Sequence, residues 1–235
     1  THGLLSRDGI VPLALSFDMA GPMARHVFDV AAMLGAMTGV DPSDPATEKS
    51  AEVIETDYTQ YLDPNALEGA RIGIARDFLG YDTEVDWIIE ASLEAMRNAG
   101  ATIVDVRYPR WLLDAKADFY TTIRWREFKD QIENYLSTLD SQYPRTLEEM
   151  VAISQQILAA PRDGERTNPT RWSLFQQELN SGSLEDPEYL AMINHGMPLV
   201  STTLQGLLEE DKLDAIVYPT APRRPGPLGE NRGSS

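Results

Sequence analysis

Residues 69–108 read GARIGIARDFLGYDTEVDWIIEASLEAMRNAGATIVDVRY, and this stretch decides the fold. Its first part, ARIGIARD (70–77), is a short apolar run behind a glycine and reads as a buried strand. Thr83 and Asp86 have the spacing of a capping box, which opens a helix. Val85, Ile88, Ile89, Ser92, Ala95 and Met96 then recur at helical spacing as a mostly apolar stripe, and Gly100 ends it. ATIVDVRY (101–108) is a second strand. Strand, helix and strand at this length imply a parallel pair with a right-handed crossover. The expected fold class is therefore α/β, with a mixed, partly parallel sheet covered by helices.

Downstream, residues 111–139 read as one long helix of mixed charge. Helical segments follow near 146–160, 170–180 and 187–210, with the loop APRDGERTNP (160–169) between the first two. This strand-poor block is expected to form a helical layer beside the sheet. KLDAIVYPTAP (212–222) is a buried strand running into a proline-broken loop, and RRPGPLGENRGSS (223–235) is loop or disorder. Upstream, Gly3, Gly9, Pro12 and Gly21 keep residues 1–21 irregular or in short strands. Pro22 suits the first position of a helix. That helix, over 22–38, presents Met23, Val27, Val30, Ala31, Leu34 and Met37 as one apolar face, with Gly39 as its closing C′ glycine. The organisation expected is 1–108 as an α/β portion, 109–210 as a mainly helical layer, and 211–235 as a strand with a tail.

Composition narrows the chemistry. The chain has 235 residues, with 37 acidic against 20 basic side chains and a formal net charge of -17. A surface that acidic repels phosphate backbones and anionic lipid, so neither nucleic acid nor a membrane is an expected partner. No apolar run approaches the ~18 residues that cross a bilayer. The absence of cysteine removes disulfides, thiolate nucleophiles and Cys-ligated metals. The start THGLLSRDGI has neither an initiator Met nor a signal-peptide pattern, and the compartment stays open.

Familiar catalytic patterns are missing. The histidines are His2, His26 and His195, and no HExxH or GxSxG occurs. His26 reads as a surface residue on the exposed side of the 22–38 helix, and His195, before Gly196 and Pro198, as a helix-break residue. Glu148/Glu149 and Glu209/Glu210 read as solvated helix faces. Neither GxGxxG nor GxxxxGK[ST] appears, which removes the main support for a nucleotide cofactor. NSGS (180–183) reads as a turn, and GSS (233–235) has no following element to build an oxyanion hole around a serine.

One long stretch is specific. GLLSRDGIVPLALSFDMAGPMARHVFDVAAMLGAMTGVDPSDPAT (3–47) resembles the segment that follows the nucleophile loop in amidase signature enzymes. The likeness rests on Gly3, Ser6, Arg7, Gly9, Pro12, Ser16, Asp18, Gly21, Pro22, Arg25, Asp29, Gly39, Asp41, Asp44 and Thr47. It continues through LEGARIGIARDFLG (67–80) and DAIVYPTAP (214–222), and within the family it is most similar to the peptide-amidase-like branch. The resemblance implies hydrolysis of a carboxamide C–N bond in a small-molecule or peptide amide. In this family a Ser attacks, a cis-peptide Ser relays the proton and a neutral Lys is the base, with backbone N–H groups on the oxyanion and no cofactor or metal. A buried lysine can lose its proton near neutral pH, and fixed N–H donors stabilise the tetrahedral charge.

The resemblance also implies that these three groups precede Thr1. No catalytic residue is carried over to this sequence, and the chain by itself is expected to be inactive. Ser16 and Asp18 stand before the Gly21-Pro22 break. Their side chains either fix that turn by bonding backbone N–H groups or stand at the rim of the substrate cleft. The resemblance further implies that Arg25 is a structural ion-pair residue holding the nucleophile loop. Tyr218 and Thr220 end a strand, where α/β sheets place ligands, and are candidates for a pocket wall. Two other readings stay open: the glutamine-hydrolysing subunit of a tRNA-dependent amidotransferase, and a non-catalytic amidase-like protein.

Overall fold

A computed structural model describes residues 2–159 and 169–226. The loop expected at 160–169 and the tail at 223–235 lie largely outside these residues, as do Ser234 and Ser235.

The described elements alternate as expected in the decisive stretch. Strand β1 is Arg71–Ala75, helix α2 is Thr83–Asn98 and strand β2 is Thr102–Val106; helix α1, Val27–Met37, precedes them. Then come α3 (Arg110–Ser137), α4 (Leu147–Ala159), α5 (Pro169–Leu179), α6 (Pro187–Ala191), α7 (Met197–Glu210) and strand β3 (Ala215–Val217). The strands form one sheet in the order β2-β1-β3. Both pairings are parallel, with Gly73 opposite Val104 on one side and Ile216 on the other. Gly73 is needed there: a Cβ would come 2.7 Å from both Leu213 Cδ1 and Val106 Cγ2. Among the described residues, no helix is long and apolar enough to cross a membrane.

By contact density the chain divides into two compact units, each built from two segments. The first comprises residues 1–62 and 117–196; the second comprises 63–116 and 197–235. The first unit has its core on the inner face of α3. Phe128, Ile132 and Leu136, four residues apart, pack with Leu147 and Val151 of α4. The second unit is the sheet, with Ile74 fully buried in β1 and Leu93 of α2 only 1% exposed.

The boundaries differ from expectation at several points, each with a local cause. Helix α1 starts at Val27 with His26 as N-cap, so Pro22 lies outside it. Gly21 has no side chain to cap a helix there, and the nearby Asp18 turns its carboxylate inward onto the N–H groups of Leu13 and Ala14. At the other end Thr38 is the C-cap and Gly39 follows at C′, as expected, but without a left-handed backbone; Thr38 is extended and its Oγ1 donates to the carbonyl of Glu55 at 2.9 Å. The face buried by α1 carries Ala31 and Gly35, whereas Met23, before the helix, is 92% exposed and Val27 72%. The cap of α2 is Asp82, whose carboxylate accepts from Glu84 N at 3.0 Å. Asp86 does reach back, but to the N–H of Gly80. The side of α2 facing the sheet runs Val85, Ile89, Leu93, Met96; Ile88, Ser92 and Ala95 are exposed. Gly100 ends α2 at φ +97°, as expected. The helical run over 187–210 is widened by a π turn at Met192–Gly196, which contains His195. His195 therefore sits in a continuing helix, and Gly196 is the constrained residue because a Cβ would lie 2.3 Å from the Phe119 ring.

Candidate functional site

The loop over residues 2–18 has little regular structure, yet it is held by buried charge. Arg7 donates from Nε to Asp44 Oδ2 at 2.8 Å and from Nη2 to Oδ1 at 2.5 Å, while its backbone N–H reaches Oδ2 at 2.9 Å. Arg7 Nη1 also donates to the carbonyl of Leu15. Both partners are buried. The fork of two N–H groups on one carboxylate is the strong form of this contact. The Arg7 hydrogen bond holds the Asp44 carboxyl well below the usual range and raises the guanidinium in turn. Asp44 additionally caps the short 3₁₀ turn Pro45–Ser50 through Ala46 N. Ser6 Oγ donates to Asp41 Oδ2 at 2.6 Å, a second tie between the same two loops.

The far end of this loop is pinned to α3. Asp18 Oδ2 accepts from Leu13 N at 2.8 Å and Ala14 N at 3.0 Å, which fixes the turn before Ser16. Leu15 N donates to Gln131 Oε1 at 2.8 Å. Ser16 donates twice to Glu127, from its backbone N–H to Oε2 at 3.0 Å and from Oγ to Oε1 at 2.5 Å. Glu127 is 1% exposed and also accepts from Gln131 Nε2 and from the Tyr189 hydroxyl at 2.9 Å. Burial, and then the Glu127 charge, push the Tyr189 hydroxyl well above its ordinary range. So this carboxylate is saturated by donors and acts as an anchor. An open cleft of about 640 Å³ lies beside the loop, with Ile10, Pro12, Leu15, Pro45, Gln131 and Tyr135 among its walls.

In the second unit the C-terminal ends of all three parallel strands carry aromatic and charged residues. Phe78, in the turn after β1, has its ring 5.5 Å from Tyr108 after β2 and 5.6 Å from Tyr218 after β3. Tyr218 and Thr220 are exposed and Pro219 between them is buried.

The Amidase family profile matches residues 1–235, the entire chain. The chain belongs to the amidase family. This amidase-family chain is 29% identical over 231 residues to a glutamyl-tRNA(Gln) amidotransferase subunit of Methanothermobacter thermautotrophicus, covering 98% of this chain and 44% of that protein. Its fold is similar to the native peptide amidase of Stenotrophomonas maltophilia, with TM-score 0.77 and 34% identity over 93% of this chain and 45% of the other. It is also similar to an amidase family protein of Bacillus anthracis, with TM-score 0.74 and 28% identity over 92% of this chain and 40% of that one. The chain thus spans a little under half the length of the relatives it matches. The mixed α/β architecture expected from the sequence is the one these peptide amidases share.

Within this amidase-family chain the sequence candidates fall into separate places. Ser16 and Asp18 lie together in the first unit, while Tyr218 and Thr220 lie in the second. Gly21 is exposed and Pro22 half-buried, in the extended approach to α1. Arg25 is exposed and makes no ion pair among the described residues. Sequence pattern did not single out Glu127 or Glu178, whose side chains are enclosed almost completely. Glu178 lies 3.4 Å from Arg124 Nη2 and from Arg171 Nη2, and burial raises its pKa despite both cations. A signal existed for Glu127: it is a charged residue directly beside Phe128 in the apolar run Ile123, Phe128, Ile132 of α3. Asp44 stood out only as part of the family pattern. Among the described residues, no three His, Asp or Glu side chains are grouped to hold a metal ion.

Proposed function

We infer that this chain is the part of a carboxamide hydrolase that follows the nucleophile loop, in an enzyme of the peptide-amidase-like branch. The reaction is cleavage of a C–N bond to a carboxylate and ammonia or an amine, through the Ser, cis-Ser and Lys mechanism of the family. The observation that carries this reading is the family match over residues 1–235, with peptide amidases among the structural relatives. In it, residues 2–18 are a rigid backing. Arg7–Asp44 and Ser16–Glu127 fix its two ends, so that a nucleophile loop packed on it keeps its geometry. In this reading Ser16 and Asp18 hold the loop of the first unit in place, and Tyr218 and Thr220 in the second unit are assigned to substrate contact. No residue of the chain is assigned to bond breaking.

Two measurements test this. The isolated chain, incubated with simple carboxamides, releases no ammonia above background. A chimera, with residues 1–235 replacing the matching segment of the Stenotrophomonas maltophilia peptide amidase, hydrolyses peptide amides. Robust turnover by the isolated chain, abolished by a serine-directed inhibitor, or a folded but inactive chimera would defeat the proposal.

A second reading is favoured by the relative named as part of an amidotransferase. Here the same fold supplies ammonia from glutamine within a larger assembly. Co-purification with the other members of such an assembly, and a chimera active on glutamine but not on peptide amides, would select it.

A further inference from the structure

We propose that the second unit carries a binding site for a small dianion, at the C-terminal ends of its parallel strands. A cleft of about 300 Å³ opens there, lined by Arg76, Phe78, Tyr81, Arg107, Arg110 and Lys116 among others. Its position follows the general rule for open α/β sheets. Ligands sit beyond the carboxyl ends of the strands where the order reverses, and β1 has its two neighbours on opposite sides.

The charge there runs against the rest of the molecule. The chain carries -17 overall, yet four of its 20 basic side chains line this one cleft. Two acidic residues, Asp77 and Asp114, share it. Arg76 is fully committed, to Glu90 and to Asp105 at 2.8 Å, and forms a fixed wall. Arg107 reaches Asp77 at 3.3 Å and Arg110 reaches Asp114 at 3.2 Å, but these arginine side chains are 68% and 85% exposed. Exposed pairs of this kind hold with ~0–1 kcal/mol, so both guanidinium groups can turn to a ligand at little cost.

Two further cations have no carboxylate partner among the described residues. Lys116 Nζ stands over the Phe78 ring at 5.8 Å. The Arg223 guanidinium stands over the Tyr81 ring at 5.6 Å. Both rings belong to the cleft lining, so each cation is held at the cleft by the aromatic face beneath it. Arg224, next in sequence, shows the contrast: it is paired with Asp82 and Glu84. Two cations without a carboxylate and two loosely paired ones around one opening match a compact ligand of charge -2, and Phe78 and Tyr81 offer its remainder an apolar surface. A phosphate monoester and a dicarboxylate share this chemistry.

The test is calorimetric titration of the full chain at low salt with inorganic phosphate and, separately, with succinate. At least one anion is expected to bind saturably, and the arm that binds more tightly identifies the source. In the double variant Lys116→Met/Arg223→Met the affinity is expected to fall at least tenfold. The variant Arg25→Met, which removes an exposed cation of the first unit, is expected to leave it unchanged. Circular dichroism establishes that both variants are folded, which their exposed positions favour. No saturable heat with either anion, or an equal loss in both variants, overturns the site. The titration requires no hydrolysis, so its outcome is independent of the amidase reading.

Discussion

Ser16 and Glu127 stand 111 residues apart in sequence and are joined by two hydrogen bonds, from the Ser16 backbone N–H and from its hydroxyl. The same carboxylate holds the Tyr189 hydroxyl, so loop 2–18, α3 and α6 meet on one buried side chain. Glu127→Ala leaves four donors, from Ser16 N, Ser16 Oγ, Tyr189 and Gln131, without their acceptor. Each such loss costs ~1–3 kcal/mol, and the variant is expected to lose ~3 kcal/mol or more in urea unfolding. Ser16→Ala, which keeps the backbone donor, is expected to lose ~1 kcal/mol. Equal losses from the two variants would show that Glu127 does not act as the common anchor.

The buried Arg7–Asp44 pair gives a pH dependence of definite sign. The Arg7 hydrogen bond lowers the folded-state pKa of Asp44 below its unfolded value. Its stabilisation is therefore complete above the unfolded value of ~3.9 and is lost as pH falls through the folded value. Asp44→Asn is expected to cost ~3–5 kcal/mol at pH 7, because it leaves Arg7 buried without its counter-charge. The difference from the parent chain is expected to narrow below about pH 4. Chemical denaturation of both proteins across pH 3–7 measures it, and a gap that widens toward acid contradicts the assignment.

Glu178 has the opposite slope. Burial raises its folded pKa even with Arg171 and Arg124 nearby. Stability from this group is complete below the unfolded value of ~4.3 and is lost as pH rises through the raised folded value. Glu178→Gln, fixed in the neutral form, is therefore expected to gain on the parent chain as pH rises from about 4 to 8. Unfolding midpoints of the two proteins over that range decide it; a constant offset would mean that Glu178 does not titrate there.

Two helical glycines are expected to respond with opposite sign to the same change. In a free helix face Gly→Ala gains ~0.5–1 kcal/mol. Gly206 in α7 has nothing within 4 Å of a built Cβ among the described residues, so Gly206→Ala is expected to stabilise by about that amount. At Gly35 in α1 the Cβ would lie 2.4 Å from the Thr56 carbonyl oxygen. Gly35→Ala must push α1 away from that backbone and is expected to lose ~1–3 kcal/mol. Thermal melts of the two variants beside the parent chain are sufficient, and a stabilised Gly35→Ala would show that the approach of α1 is not this close.

Some of this was legible from local pattern. Periodicity in 69–108 depends on near neighbours along the chain, and it located β1, α2, β2 and their parallel pairing. Gly100 was readable because the left-handed backbone that ends α2 is easy only for glycine. The start of α1 was not, because it depended on where Asp18 spends its carboxylate, and that is settled by the loop at Leu13 and Ala14. On α2 the periodic stripe includes Val85, Ile89 and Met96 of the covered side but not Leu93, and it includes the exposed Ile88; both are apolar, and only docking selects Leu93.

By itself the sequence determined the α/β class, the order of its principal elements and the amidase family, because local spacing and the run 3–47 carry that information without reference to distant residues. Only the tertiary structure decided which charges are enclosed and with whom. Arg7 finds Asp44 across 37 residues, Ser16 finds Glu127 across 111, and cations from distant segments gather at the ends of three strands. Burial and pairing are properties of chain segments brought together in space, and no local pattern in an acidic sequence distinguishes an anchoring carboxylate from a solvated one.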